Sequence, residues 1–272
     1  LHRRRHSFPT RRSSDLADKF IEVENKQQYP FCNVMRALHG EGRASFVLAG
    51  HQELHEATQI PDHPLRNFGE LVRLEPLDLG SAERMILEPL TALGLRFSDE
   101  AGTVDWLREQ TGCRPHLLAQ VCWTIVKLRP PLNSAKIPLE EIKKEVQSAK
   151  HWRAAFGAWE LGQVNPVDRA LTHAALLLGR PLPGELLQYL GSRGVALTAA
   201  EMDKSLSRLY AWHYALIPDA TGHLYCPVPF FRDWISNPKP ETPNARHWDH
   251  AEDRLRAELE KDLAAIRAKA EG

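Results

Sequence analysis

The chain has 272 residues, 43% of them apolar and 26% charged, with 35 basic and 35 acidic side chains. That is an ordinary globular composition, sized for one large domain or two small ones. No run approaches the roughly 20 apolar residues of a membrane helix. Four cysteines (Cys32, Cys113, Cys122, Cys226) lie far apart with no CxxC pair, which argues against a zinc ribbon or a disulfide-stapled module and fits a reducing cytoplasm. The even charge balance argues against a broadly basic nucleic-acid binder.

The first sixteen residues distort that balance. His6 to Leu16 reads HSFPTRRSSDL, which matches, residue for residue, the translation of a common short-read sequencing adapter. The alternative is a basic N-terminal arm or a transit peptide; eleven consecutive matches favour the adapter, so residues 1–16 are set aside and expected to be disordered. Without them the chain carries 30 basic and 34 acidic residues, a net charge of −4 over 256 residues, and is expected to begin in the middle of a gene.

Residues 17–39 carry a helical pattern with Phe31, Val34, Met35 and Leu38 on its apolar positions. Gly40 and Gly42 bracket a turn. The nearly continuous apolar run Ser45 to Gly50 predicts a strand buried on both faces of a parallel sheet, and Leu71 to Leu74 a second strand closed by Pro76. From Ser81, a good N-cap, the period becomes helical through Leu93, with Pro89 expected to kink or break the helix. Further helices are predicted from Asp99 to Gln110, from Pro115 to Leu128 and, continuously, from Leu139 to Phe156.

Asn165 and Pro166 signal a helix start, and a domain boundary is placed there. Helices are predicted over 167–178 and 185–190, and over 198–210 behind the capping box Thr198-Ala-Ala-Glu201. Tyr214 to Ile217, a turn at 219–222 and Leu224 to Val228 read as a hairpin, followed by a closing turn at Phe230 to Ile235. Helix, short helix, helix and hairpin is the order of a winged helix. Pro238, Pro240 and Pro243 make a stiff linker. Arg246 to Ala270 then forms a charged helix with a stripe at Trp248, Leu255, Leu259, Leu263 and Ile266, the pattern of a docking or coiled-coil helix.

Four stretches resemble the second half of a P-loop ATPase of the AAA+/STAND type. Ala17-Asp18-Lys19-Phe20 is similar to the run that follows the Walker B strand, whose acidic pair falls where the adapter supplies Asp15 and Leu16. Phe46-Val-Leu-Ala-Gly-His51-Gln52 is similar to the sensor 1 strand, with His51 and Gln52 as candidate γ-phosphate contacts; His51 as a simple strand cap is the alternative. Pro64-Leu65-Arg66-Asn67 is similar to the segment that places an arginine finger, which makes Arg66 the positional match for a charge that stabilises phosphoryl transfer, with a surface arginine as the alternative. Thr111-Gly112-Cys113-Arg114-Pro115 resembles the T-G-G-x-P turn of the lid subdomain that contacts adenine. Gly112, Arg114 and Pro115 are the implied cofactor-binding residues, although a positive-φ glycine and an N1 proline also explain that turn structurally.

The resemblance implies an α/β remnant of a P-loop ATPase core (17–80), an all-α lid (81–130), a helical connector (131–165), a winged-helix domain (166–236) and a Pro-rich linker with an amphipathic tail helix (237–272), mostly α overall. It implies ATP and magnesium in a full-length parent, and a fragment that binds neither tightly because the phosphate loop and Walker B are absent. The expected partners are the parent's other domains or a second copy of the chain.

The runner-up is a winged-helix DNA-binding regulator. Residues 166–236 hold six basic side chains (Arg169, Arg180, Arg193, Lys204, Arg208, Arg232) against six acidic ones, a poor source of phosphate affinity. No HExxH, G-x-S-x-G or complete phosphate loop is present, and His173, His213 and His223 suggest no metal site. Aromatic residues crowd the connector (Trp152, Phe156, Trp159) and the last domain (Tyr210, Trp212, Tyr214, Phe230, Phe231, Trp234). Either the winged helix uses the latter in its own core, or Trp152 and Trp159 lie against it, excluded from water.

Overall fold

The computed structural model describes residues 13–50, 52–127, 136–146, 152, 155, 156, 159, 164–236 and 251–271. The chain is mostly helical and divides into two compact units, Leu1–Leu74 and Glu75–Gly272. No helix among the described residues is long and apolar enough to cross a membrane.

Among the described residues, the first unit contains three helices, Ser13–Lys26, Pro30–Gly40 and Gln52–Gln59. The first begins at Ser13, inside the segment expected to be unstructured. The single helix expected over 17–39 is broken at Gln28 and Tyr29, both at positive φ, because the residue before Pro30 is pushed out of the helical region. The break rotates the second helix so that Cys32 and Met35 are buried while Phe31 and Val34, expected on its apolar face, are about half exposed. The core is small: Ile21, Cys32, Ala57 and Leu65, with Phe20, Tyr29, Leu48, Leu54 and Phe68 packed at its edge. Buried Glu24 accepts the Cys32 backbone N–H at 2.8 Å, and Asp18 accepts that of Leu54 at 3.1 Å near the start of the third helix.

Neither predicted strand of this unit forms a ladder. Residues 44–50 and 71–74 are without regular secondary structure, and Val47 and Leu74 are 97% and 92% exposed instead of buried on two faces. A strand is stabilised by its neighbours, and among the described residues of this unit no second strand pairs with either segment.

The second unit opens with helices Leu79–Ala92, Glu100–Thr111, Pro115–Lys127 and Leu139–Val146. Asp78, not Ser81, caps the first, its carboxylate accepting the Ser81 N–H at 2.9 Å. Pro89 does not break that helix, because it sits in the last turn, where buried Leu90 anchors the segment. A short parallel pair, Arg96–Phe97 with Lys136–Ile137, ties the loops together. Of the continuous helix expected over 139–156, residues 147–151 lie outside the described residues.

Helices Pro166–Leu178, Pro183–Ser192 and Ala199–Arg208 follow as the caps predict. Asn165 accepts the Val167 N–H at 3.0 Å, and Thr198 and Glu201 close a reciprocal capping box at 3.2 and 2.9 Å. A wider helical turn, Leu209–His213, leads to the antiparallel pair Ile217–Pro218 and Leu224–Tyr225. The expected closing turn is a helix, Pro229–Ser236. The tail helix, Ala251–Glu271, lies along Pro166–Leu178 with Leu255, Leu259 and Leu263 buried; the linker and Trp248 lie outside the described residues. One continuous core of buried residues runs from Ala82 to Leu263.

Candidate functional site

The Thr111–Pro115 turn closes one helix and opens the next. Thr111 donates its hydroxyl to the Leu107 carbonyl at 2.7 Å. Gly112 (φ 57°) ends the helix in the left-handed region, and Cys113 (φ 54°) follows in the same region, an arrangement that costs an ordinary residue about 1 kcal/mol or more. The Cys113 carbonyl accepts the Leu77 N–H at 3.0 Å, which fixes the loop entering the unit. Burial pushes the Cys113 thiol up, away from nucleophilic character.

The turn faces the segment that carries the hairpin. A Cβ on Gly112 would stand 3.1 Å from both the Pro227 carbonyl oxygen and Val228 Cγ2, so glycine is required by close approach as well as by φ. Arg114 donates to the His213 carbonyl at 2.7 Å, and its guanidinium lies 5.6 Å from the Tyr214 ring centre. Burial lowers the Arg114 pKa, opposed by Tyr214. Among the described residues, no carboxylate forms an ion pair with Arg114. Pro115 sits exposed at the first position of its helix.

Aromatic packing continues this contact. Trp152 lies 4.4 Å from Phe230, which also takes Trp106 of the Glu100–Thr111 helix edge-on at 5.6 Å. Phe156 and Trp159 meet Phe231 at 5.2 and 5.0 Å, and Trp159 stands edge-on to His213 at 5.9 Å. Trp152 and Trp159 are only 3% and 7% exposed, so the contact expected from the aromatic excess is present. Among the described residues, the Trp159 indole N–H has no acceptor. The side chain of Trp212 lies outside the described residues.

Two buried charge clusters fix the helices behind this contact. Arg208 and Asp168 form a two-pronged ion pair at 2.7 and 2.6 Å, joined by Ser205 at 2.9 Å. Asp262 of the tail helix, 1% exposed, accepts from Arg169 at 2.9 and 2.5 Å and lies 3.1 Å from His173 Nδ1. The tail adds Glu260, paired with Arg193 at 2.5 Å, and Arg267, which donates to the Arg193 carbonyl at 2.8 Å.

The remaining candidates lie in the first unit. His51 and the Gln52 side chain fall outside the described residues; Gln52 begins the Gln52–Gln59 helix. Arg66 is exposed, and its carbonyl accepts from Arg36 at 3.1 Å. The second unit brings Gly112 and Arg114 together with His213, Tyr214 and Val228, and no such contact is made by the exposed Pro115 among the described residues. Sequence reading did not find Tyr214 or His213 as partners of that turn, nor Asp262 as the centre of a buried cluster; local pattern carries no signal for pairs about 90 residues apart.

The chemistry available here is limited. Burial pushes the Cys122 and Cys226 thiols up to about 11. Among the described residues, no group of three His, Cys, Asp or Glu side chains could hold a metal ion. The face of Gly112 is taken up by the Pro227 carbonyl and Val228. A groove of about 550 Å³ lined by Arg180, Glu185, Gln188, Tyr189 and His223 lies near the hairpin, but its charges are engaged: Arg180 pairs with Asp219 at 3.6 Å, and Glu185 accepts the Leu182 N–H at 2.7 Å. No family profile, curated protein or solved structure matches the chain.

Proposed function

We propose that the chain is the C-terminal part of a nucleotide-dependent signalling ATPase of the AAA+/STAND type, in which residues 81–130 are the lid and residues 166–236 a winged helix that reports the nucleotide state. The observation that carries the reading is the contact of the Thr111–Pro115 turn with residues 213–228. In the parent, the lid turn and the last domain would then move as one piece, since Gly112 and Arg114 leave little room between them. The helix–helix–helix–hairpin order across 166–225 supports the winged-helix part of the reading. The exposed, extended segment at 44–50 supports the core part, because its apolar run suits a sheet that neighbours would complete.

In this reading the parent binds ATP and magnesium through residues outside this chain, in a cytoplasmic setting, and the chain alone is inactive. DNA binding fares worse. Arg169, Arg193 and Arg208 are held by Asp262, Glu260 and Asp168, and Arg180 and Arg232 by Asp219 and Asp233, so most of the basic side chains are already neutralised.

Calorimetric titration with Mg·ATP tests the reading on two proteins. This chain should show no micromolar binding, and a chain extended upstream in the gene should bind. Tight binding by this chain, or an upstream sequence without a phosphate loop, would contradict it.

A further inference from the structure

His63 sits in the turn that follows the Gln52–Gln59 helix, and only 2% of it is exposed. Its Nδ1 accepts the Leu65 backbone N–H at 3.1 Å. A ring nitrogen that accepts carries no proton, so the imidazole is neutral with its hydrogen on Nε2. That Nε2–H is buried and, among the described residues, meets no acceptor. The Tyr29 ring covers the imidazole edge-on at 4.4 Å.

The bond to Nδ1 positions a core side chain. Leu65 is one of the four buried apolar residues of this unit's small core. Its turn is closed by Arg66 N–H on the His63 carbonyl at 2.9 Å, and Arg36 of the Pro30–Gly40 helix donates to the Pro64 and Arg66 carbonyls at 2.9 and 3.1 Å. A neutral imidazole has one lone pair that can take a proton, and here it is the Nδ1 pair that holds Leu65. His63 therefore cannot become charged in place: a second ring N–H would face the Leu65 N–H, donor against donor, in a buried site. Glu24 of the Ser13–Lys26 helix, itself buried, favours a charge on His63, but its carboxylate is committed to the Cys32 N–H at 2.8 Å and to the Cys32 thiol. Burial outweighs Glu24 and lowers the His63 pKa. Arg36, Asp62 and Arg66 are exposed to water, as are Glu53 and Glu56 on the Gln52–Gln59 helix, where His55 is half-buried.

We propose that His63 is an acid-operated latch on the first unit: a proton taken from solvent by Nδ1 breaks its bond to the Leu65 N–H and releases the 60–68 turn, with Leu65, from the core. In the opened chain His63 titrates near its ordinary value of about 6.5, and in the closed unit it holds the proton less tightly. The latch is therefore fully closed above that pH and weakens as pH falls through it, the open fraction rising by up to about tenfold per pH unit. The device belongs to the first unit's own core and does not depend on what the parent binds.

Hydrogen exchange on the full chain at about pH 7.5 and about pH 5.5, corrected for the intrinsic pH dependence of exchange, tests it. Protection of the amides of 34–39 and 56–59 should fall about tenfold at the lower pH. His63→Asn offers a side-chain oxygen to the N–H two residues on, as in an Asx turn, and takes up no proton; it should hold its protection at both pH values. If that variant does not fold, long-range proton–nitrogen NMR of the unaltered chain decides: His63 should carry its proton on Nε2 at about pH 7.5 and titrate below about 6.5. Equal protection of the unaltered chain at both pH values, the same loss in His63→Asn, or a proton on Nδ1 at about pH 7.5 would overturn the proposal.

Discussion

The two units handle apolar surface in opposite ways. Glu75–Gly272 closes on itself: four aromatic side chains from distant stretches (Trp106, Trp152, Phe156, Trp159) converge on Phe230 and Phe231, and buried ion pairs lock the helices behind them. Leu1–Leu74 has four fully buried apolar side chains in its core and leaves Val47, Val72 and Leu74 more than 70% exposed. A core of that size contributes little beyond the conformational entropy it must offset.

Mutations at the centre of each core should separate the two most strongly. Phe231→Ala removes the ring shared by Phe156 and Trp159 and should cost about 3–5 kcal/mol, read from urea unfolding. Because the core is continuous, the whole second unit should shift in one transition. Separate transitions for 79–146 and 166–236 would split the body described here. Trp159→Phe should cost far less, since among the described residues its buried indole N–H meets no acceptor that the substitution would strand.

Asp262→Ala strands Arg169 and His173 beside an empty position and should cost about 3–5 kcal/mol. The tail helix should then be cut by limited proteolysis while the preceding helices survive. An uncut tail would mean that Leu255, Leu259 and Leu263 hold it without the charge cluster. Leu65→Ala in the first unit should cost about 2–4 kcal/mol and unfold that unit alone, leaving the tryptophan fluorescence of the second unchanged.

A smaller effect follows from Cys32. Burial, with Glu24 adding to it, pushes this thiol up to about 12. An unfolded thiol ionises first as pH rises, near its ordinary value of about 8.5, so the first unit should lose stability between that pH and about 12. Cys32→Ser should flatten that part of the profile, and an unchanged slope would remove the assignment. Smallest is Thr198→Ala, which opens a solvent-facing capping box and should cost about 1 kcal/mol.

Local chemistry was the legible part of the sequence. The caps at Asn165 and Thr198, the left-handed Gly112 and the N1 prolines are set by neighbours one to four residues away, and they stand where the spacing puts them. The Ser45–Gly50 run announces a strand, yet a strand's hydrogen bonds lie with other segments, so the pattern cannot say whether a ladder forms. Pro89 misleads because the cost of a helical proline depends on how many turns follow it. The aromatic excess around Trp159 was readable as composition. The pairing of Arg114 with His213 was not, because it joins residues 99 apart and is fixed by how two helical layers pack.

Hydrogen exchange followed by mass spectrometry on the native chain tests the contrast between the units most directly. Amides of 45–49 and 71–74 should exchange at close to their free rates, while those of 104–111, 117–125, 170–176 and 259–263 should open together with a single, much larger free energy. Protection of 45–49 comparable to that of the second unit's helices, or independent opening of 117–125 and 170–176, would contradict it.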